Sequence, residues 1–295
     1  MILVTGATGT IGSQVFRRLL AAGEHPVAFV RDPQRARARL GGASDYVVGD
    51  LDRPETLEAA LAGVERVFLL TRQSARQPDW ERNVIDAAVR AGARHLVKLS
   101  VFRADQRSPL QIARQHHDIE RSLERSGLSY TIVRPVFLTQ NLLGMVHSGA
   151  IRTAAGDGRV SMVDARDVAA VAVAALRGRG HERSTYTLTG PQSLTFDEVA
   201  DIVTHQSGHP VRHLRVPADA VRQAVQRGGM EAWFAEDMAR LHRMLAAGYE
   251  DLVTDDVRAA TGTSPGTLAE FARDFADHFA NSAPAAEATA RSAAQ

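Results

Sequence analysis

Met1-Ile2-Leu3-Val4-Thr5-Gly6-Ala7-Thr8-Gly9-Thr10-Ile11-Gly12 opens the chain, and its reading decides the fold class. Ile2, Leu3 and Val4 form an apolar run without alternation, the mark of a parallel strand buried on both faces. Glycines follow at positions 6, 9 and 12, and Ile11, Val15, Leu19 and Leu20 then recur with helical period. Strand, glycine turn and helix together predict a dinucleotide site. The glycines permit a sharp turn and the close approach of a pyrophosphate. The helix N-terminus supplies free N–H groups and a positive dipole end. The spacing is Gly-x-x-Gly-x-x-Gly, not the Gly-x-Gly-x-x-Gly of many dehydrogenases. Gly6, Thr8, Gly9, Thr10, Ile11 and Gly12 are the expected phosphate-binding residues.

Working outward, strands and helices alternate. Strands are expected at His25–Arg31, Asp45–Gly49, Glu65–Thr71, His95–Val101 and Tyr130–Arg134. Helices are expected at Gln34–Leu40, Pro54–Ala62, Asp79–Gly92 and Leu110–Gly127. Crossovers of this length imply a doubly wound parallel sheet, the Rossmann arrangement of an α/β fold. After Pro135 the rhythm changes. A helix at Asp167–Arg177, strands at Thr185–Thr189 and Val211–Val216, and a helix over Thr195–Gly208 are expected. Further helices follow at Ala218–Arg227, Glu231–Ala247, Thr254–Thr261 and Thr267–Phe279. Thr195 with Glu198 three residues on reads as a capping box. Residues 1–135 are thus expected as the nucleotide-binding core. Residues 136–280 are expected as a smaller C-terminal α/β substrate lobe that can interleave with the core, and 281–295 as a disordered tail.

Composition narrows the function classes. The chain has 295 residues, a net charge of +1 and no cysteine. That balance gives no footprint for nucleic acid or an anionic membrane surface. It excludes disulfides and thiolate catalysis, and fits a reducing cytoplasm. No apolar run approaches a membrane span, and a strand starting at residue 2 leaves no room for a signal peptide. Lys98 is the only lysine, so any chemistry that needs a lysine must use it. Near the end of a strand, its expected role is structural, with the ammonium snorkelling outward.

The cofactor side chains come from the strand ends. Arg31 stands where an acidic residue would bind the ribose 2′-hydroxyl of NAD, and it suits a 2′-phosphate instead; Arg35 can close over it. Asp32 is the counter-argument, since a shift of one residue would favour NAD. NADP(H) is preferred, with NAD(H) as the alternative. Asp50 and Leu51 are placed to contact adenine, with capping as the other role open to Asp50. Thr71, Gln73, Ser100 and Phe102 follow the fourth and fifth strands and are expected along the nicotinamide half of the crevice. Phe137, Trp233 and Phe234 are candidates for an apolar pocket, Trp80 a weaker one. His205, His209 and His213 are spaced by four, but Gly208 and Pro210 break any helix that would align them, so no metal site is expected.

Several runs together resemble the NmrA-like branch of the atypical short-chain dehydrogenases. They are residues 5–12, Val30-Arg31-Asp32-Pro33, Leu99-Ser100, Ser126 to Pro135, Gln140-Asn141 and Val163 to Val168. The resemblance reaches to about Phe279. It implies a Rossmann domain with a small C-terminal lobe, NADP(H) as the commoner cofactor, and a quinone-like or other aromatic small-molecule substrate. Members of the branch also include redox sensors that bind the cofactor and a protein partner without turnover, and tailoring proteins of aromatic polyketide pathways; a homodimer is compatible with the class. Asn141 matches an asparagine that the branch places near the crevice. The Tyr-x-x-x-Lys pair of tyrosine-dependent relatives is missing: Tyr46, Tyr130, Tyr186 and Tyr249 have no lysine four residues on. Counting back from Tyr130 puts His116 where isoflavone-type reductases carry a lysine. Glu120 follows on the same helical face, where it would orient His116 and raise its pKa, making the imidazole a proton donor.

Overall fold

A computed structural model describes residues 1–41 and 44–282. The tail expected from residue 281 lies almost wholly outside the described residues. The chain divides into two compact units. The first holds Met1–Pro135, Ala165–Leu188 and Asp256–Thr263, and the second holds the intervening segments.

The first unit is built on a seven-stranded sheet. Its consecutive strands are β1 (Ile2–Val4), β2 (Pro26–Val30), β3 (Tyr46–Val48), β4 (Arg66–Leu69), β5 (His95–Leu99) and β6 (Ser129–Pro135). The helices between them are α1 (Thr10–Ala21), α2 (Pro33–Leu40), α3 (Pro54–Leu61), α4 (Gln77–Arg90) and α5 (Gln111–Arg125). The order runs β3-β2-β1-β4-β5-β6, and strand Ser184–Leu188 pairs in parallel with β6 at the far edge. All pairings in this sheet are parallel. The order reverses between β1 and β4, and ligands of open α/β sheets bind outside the strand carboxyl ends at such a point. The doubly wound sheet expected from the alternation is therefore present. Its seventh strand and the helix Ala165–Arg177 come from beyond residue 135, within the span expected as a lobe that can interleave with the core.

Burial follows the pattern of parallel sheets covered on both faces. Ile2, Leu3 and Val4 are all fully buried. Leu3, Val67 and Leu96 share a core with Leu57 and Leu61 of α3, Val84 and Ala88 of α4, and Ile119 and Leu123 of α5.

The second unit has short strands and longer helices. Strand Ala150–Thr153 pairs with Arg212–Arg215 and Val146–His147, Arg159–Val160 with Leu194–Thr195, and Met162–Val163 with Phe137–Leu138. Only the Val211–Val216 strand among these was expected; the others have two to four residues and show no periodicity to read. The Thr195 cap forms both reciprocal bonds with Glu198. The helix expected over Thr267–Phe279 is two, Leu268–Asp274 and Ala276–Asn281, broken at Phe275. Phe137, Phe196, Phe271 and Phe279 lie in this unit's core.

Candidate active site

The glycine turn joins β1 to α1 under tight steric limits. Gly6 has φ +63°, a conformation that glycine adopts without strain. A Cβ on Gly12 would lie 2.1 Å from the Gly6 carbonyl oxygen, and one on Gly6 would lie 2.7 Å from that of Leu70. Helix α1 therefore packs against the turn only because Gly12 is bare, and the turn passes Leu70 at the end of β4 only because Gly6 is. Gly9 caps α1 without a side-chain hydrogen bond, and the first backbone bond across the cap runs from Ser13 to Gly9. The N–H groups of the first turn before Ser13 are thus the helix-end donors that an anion meets. These features fit the diphosphate of a dinucleotide.

At the end of β2, Arg31 and Arg35 are both exposed. Asp32 serves as a helix cap. Its Oδ1 accepts from the backbone N–H of Gln34 at 2.8 Å and of Arg35 at 3.1 Å, capping α2, with Pro33 at the first helical position. Asp50 Oδ1 accepts from Asp52 N at 3.1 Å and the Leu51 carbonyl accepts from Asn83 at 2.9 Å, so the loop after β3 is held in place.

Beneath the carboxyl ends of β4 and β5 lies a buried polar network. Glu81 of α4 and Lys98 of β5 pair at 2.6 Å, and both side chains are 0% exposed. Lys98 Nζ also donates to the Leu99 carbonyl at 2.7 Å and approaches His116 Nδ1 at 3.1 Å. Glu81 Oε1 accepts from Thr71 Oγ1 at 2.8 Å and from Gln77 Nε2 at 2.9 Å. Lys98 thus does not snorkel outward. A buried carboxylate balances its charge, and two further acceptors meet its donors, which makes burial tolerable.

The expected partnership of His116 and Glu120 is not formed. Glu120 accepts from Ser100 Oγ at 2.5 Å and from Arg134 Nε at 2.9 Å. His116 faces Lys98 instead. Burial, and then the charges of Lys98 and Arg134, hold the His116 pKa well below its ordinary 6.5. The imidazole is neutral at neutral pH, the reverse of the raised pKa expected from Glu120.

The remaining candidates divide. Thr71 and Ser100 both lie at strand ends as expected, but their hydroxyls are held by Glu81 and Glu120. Gln73 is half-buried, and its side-chain oxygen has no partner among the described residues. Phe102 lies under Arg103, 4.9 Å from guanidinium carbon to ring centre. Trp80 is buried beneath Arg72 at 4.8 Å. In the second unit, Trp233 and Phe234 meet edge to face at 5.6 Å, whereas Phe137 packs on Phe196 at 6.1 Å in the core. Asn141 is exposed at the end of a 3-10 turn over Thr139–Asn141. The sequence reading missed Glu81 and Gln77. A signal was available: both lie on the same stripe of α4 as Trp80, Val84, Ile85 and Ala88, and a carboxylate on an apolar stripe requires a buried partner.

Among the described residues no group of side chains suits a metal ion, and no helix is long and apolar enough to cross a membrane.

Comparison with known proteins agrees with the geometry. The NAD(P)H-binding family matches residues 6–179. An NAD(P)H azoreductase of Xenophilus azovorans is 40% identical over 95% of this chain and 99% of its own. A (4-alkanoyl-5-oxo-2,5-dihydrofuran-3-yl)methyl phosphate reductase of Streptomyces griseus is 37% identical over 95% and 99%. The crystal structure of an NADPH-dependent quinone oxidoreductase from Escherichia coli, complexed with NADPH, superposes with a TM-score of 0.83 at 29% identity, covering 93% of this chain and 99% of that one.

Proposed function

The chain belongs to the NAD(P)H-binding family, among the NmrA-like and quinone-oxidoreductase-like Rossmann proteins that bind NADP(H), and from that premise we propose that it is an NADPH-dependent reductase of a quinone or another conjugated aromatic acceptor. Bound NADPH supplies the hydride. Gly6 to Gly12 receive the diphosphate, and Arg31 with Arg35 pair with the 2′-phosphate.

The observation that carries the reading is the commitment of Lys98. The chain's only lysine is locked to Glu81, and no tyrosine has a lysine four residues on, so no tyrosine is activated as an acid. An acceptor whose conjugation spreads the charge of the added hydride needs no such acid, and water supplies the proton afterwards. What the protein supplies is orientation and a dry crevice. In this reading neutral His116 is a hydrogen-bond donor to the acceptor, not an acid.

The test is oxidation of NADPH, followed by absorbance, with a panel of quinones, enones and azo dyes. Turnover with at least one quinone or azo acceptor is expected. His116→Ala should lower it roughly tenfold, the worth of one hydrogen bond of about 1.4 kcal/mol. Tight NADPH binding without turnover of any acceptor would instead favour the non-catalytic sensor reading.

A further inference from the structure

The network around Glu81 has a polarity that can be traced bond by bond. A carboxylate is acceptor-only. Glu81 Oε1 is met at 2.9 Å by the Gln77 side chain, so Gln77 must turn its NH2 toward Glu81, since its carbonyl there would face another acceptor. Lys98, an ammonium with donors only, meets Glu81 at 2.6 Å, the Leu99 carbonyl at 2.7 Å and His116 Nδ1 at 3.1 Å. A nitrogen that accepts from an ammonium carries no proton. The proton of the neutral ring is therefore on Nε2.

This assignment leaves a residue of unmet capacity. His116 Nε2 lies 3.5 Å from Gln77 Nε2, and in this polarity both atoms are donors. No hydrogen bond joins them. The Gln77 carbonyl oxygen is buried without a partner among the described residues. His116 is 3% exposed and Gln77 1%. A buried donor and a buried acceptor thus stand side by side without protein partners, at the carboxyl ends of β4 and β5. Such pairs are rare unless something outside the chain completes them.

We propose that Glu81 and Lys98 are positioning residues that fix His116 as the Nε2–H tautomer and Gln77 with its carbonyl free, so that the two side chains together form a donor–acceptor pair for a bound ligand group that both accepts and donates, such as a hydroxyl. Lys98 acts only through His116, and Glu81 acts through both Lys98 and Gln77. The role of the imidazole as a donor rests on the reductase reading above; its tautomer does not. The single lysine of an arginine-rich chain is accounted for. A compact tetrahedral ammonium reaches one ion-pair partner and two further acceptors from within a strand, whereas a planar guanidinium has five donors to satisfy.

Nitrogen-15 NMR of the imidazoles in the full-length protein at neutral pH tests this without reference to turnover. The His116 signals, assigned by their loss in His116→Gln, should show a protonated Nε2 and an unprotonated Nδ1. In Lys98→Met, with Glu81→Gln added to avoid a stranded carboxylate, the Nδ1 signal should move toward a mixture of tautomers. The signals of His213 should stay in place, reporting an intact fold. A wild-type ring protonated on Nδ1, or on both nitrogens, overturns the proposal whatever the variants do. An unchanged His116 tautomer in the folded double variant overturns it as well. Failure of every acceptor in the turnover assay would remove the reductase reading and leave this result standing.

Discussion

Two buried histidines, one in each unit, show how neighbours decide what an imidazole can do. In the second unit both ring nitrogens of His213 have protein partners: Thr153 Oγ1 at 2.8 Å from Nε2 and Asp197 Oδ1 at 3.2 Å from Nδ1. Its ring lies against Phe196 at 5.7 Å. In the first unit His116 meets an ammonium on Nδ1 and finds no acceptor on Nε2. His213 is a completed strut between the strands Ala150–Thr153 and Arg212–Arg215 and the start of the helix Phe196–Ser207. His116 is incomplete at the strand ends where the fold receives ligands. Completion marks structure, and unmet capacity marks a place for something else.

The largest expected effect strikes the network that holds His116. Glu81→Ala strands a buried ammonium and should cost about 3–5 kcal/mol of stability. Asp197→Ala beside His213 removes a carboxylate that is 46% exposed and should cost under about 1 kcal/mol. Urea denaturation monitored by circular dichroism separates the two, and equal losses would erase the contrast.

Acid should act next. His242, buried in the second unit, has its pKa pushed down to about 4 by burial. Its unfolded value is near 6.5, so the unfolded chain binds more protons between these values. The stability from this group is complete above pH 6.5 and is lost as pH falls toward 4, roughly 3 kcal/mol in all. His116 shifts in the same direction and adds to the acid lability. Melting temperatures recorded across this range should fall steadily with pH, and His242→Gln should flatten part of the slope.

The exposed end of the first unit gives a smaller effect. Arg31→Glu should weaken NADPH binding by about 10- to 100-fold, with little change for NADH, as one charge-assisted contact of roughly 1.5–3 kcal/mol is lost. Calorimetry with both cofactors decides this, and equal weakening of both would remove Arg31 from the 2′-phosphate. A smaller effect again belongs to the second unit: Thr195→Ala breaks the capping box and should cost about 1 kcal/mol by urea denaturation, leaving NADPH affinity unchanged.

These contrasts also show which parts of the molecule the sequence exposes. The strand–glycine–helix opening, the six leading strands and the Thr195–Glu198 cap depend on neighbours in the chain, and local pattern reveals them. The strand Ser184–Leu188 becomes part of the first unit only through pairing with β6, about fifty residues earlier, which no local pattern encodes. The strands between residues 137 and 163 are too short to have a period. At the site, His116 and Lys98 were visible singly. Their partners were not, because Glu81, Lys98 and His116 sit on three separate elements that only the folded sheet brings together. Glu120, one helical turn from His116, was the nearer carboxylate in sequence, yet Arg134 and Ser100 hold it.

Hydride transfer without a protein acid is tested most directly by the pH dependence of NADPH oxidation with a saturating quinone acceptor. Single-turnover rates from about pH 6.5 to 8.5 should be flat, because a neutral His116 does not change its protonation state across that window. A rate that falls roughly tenfold for each pH unit would make His116, or another group, the acid and contradict the mechanism.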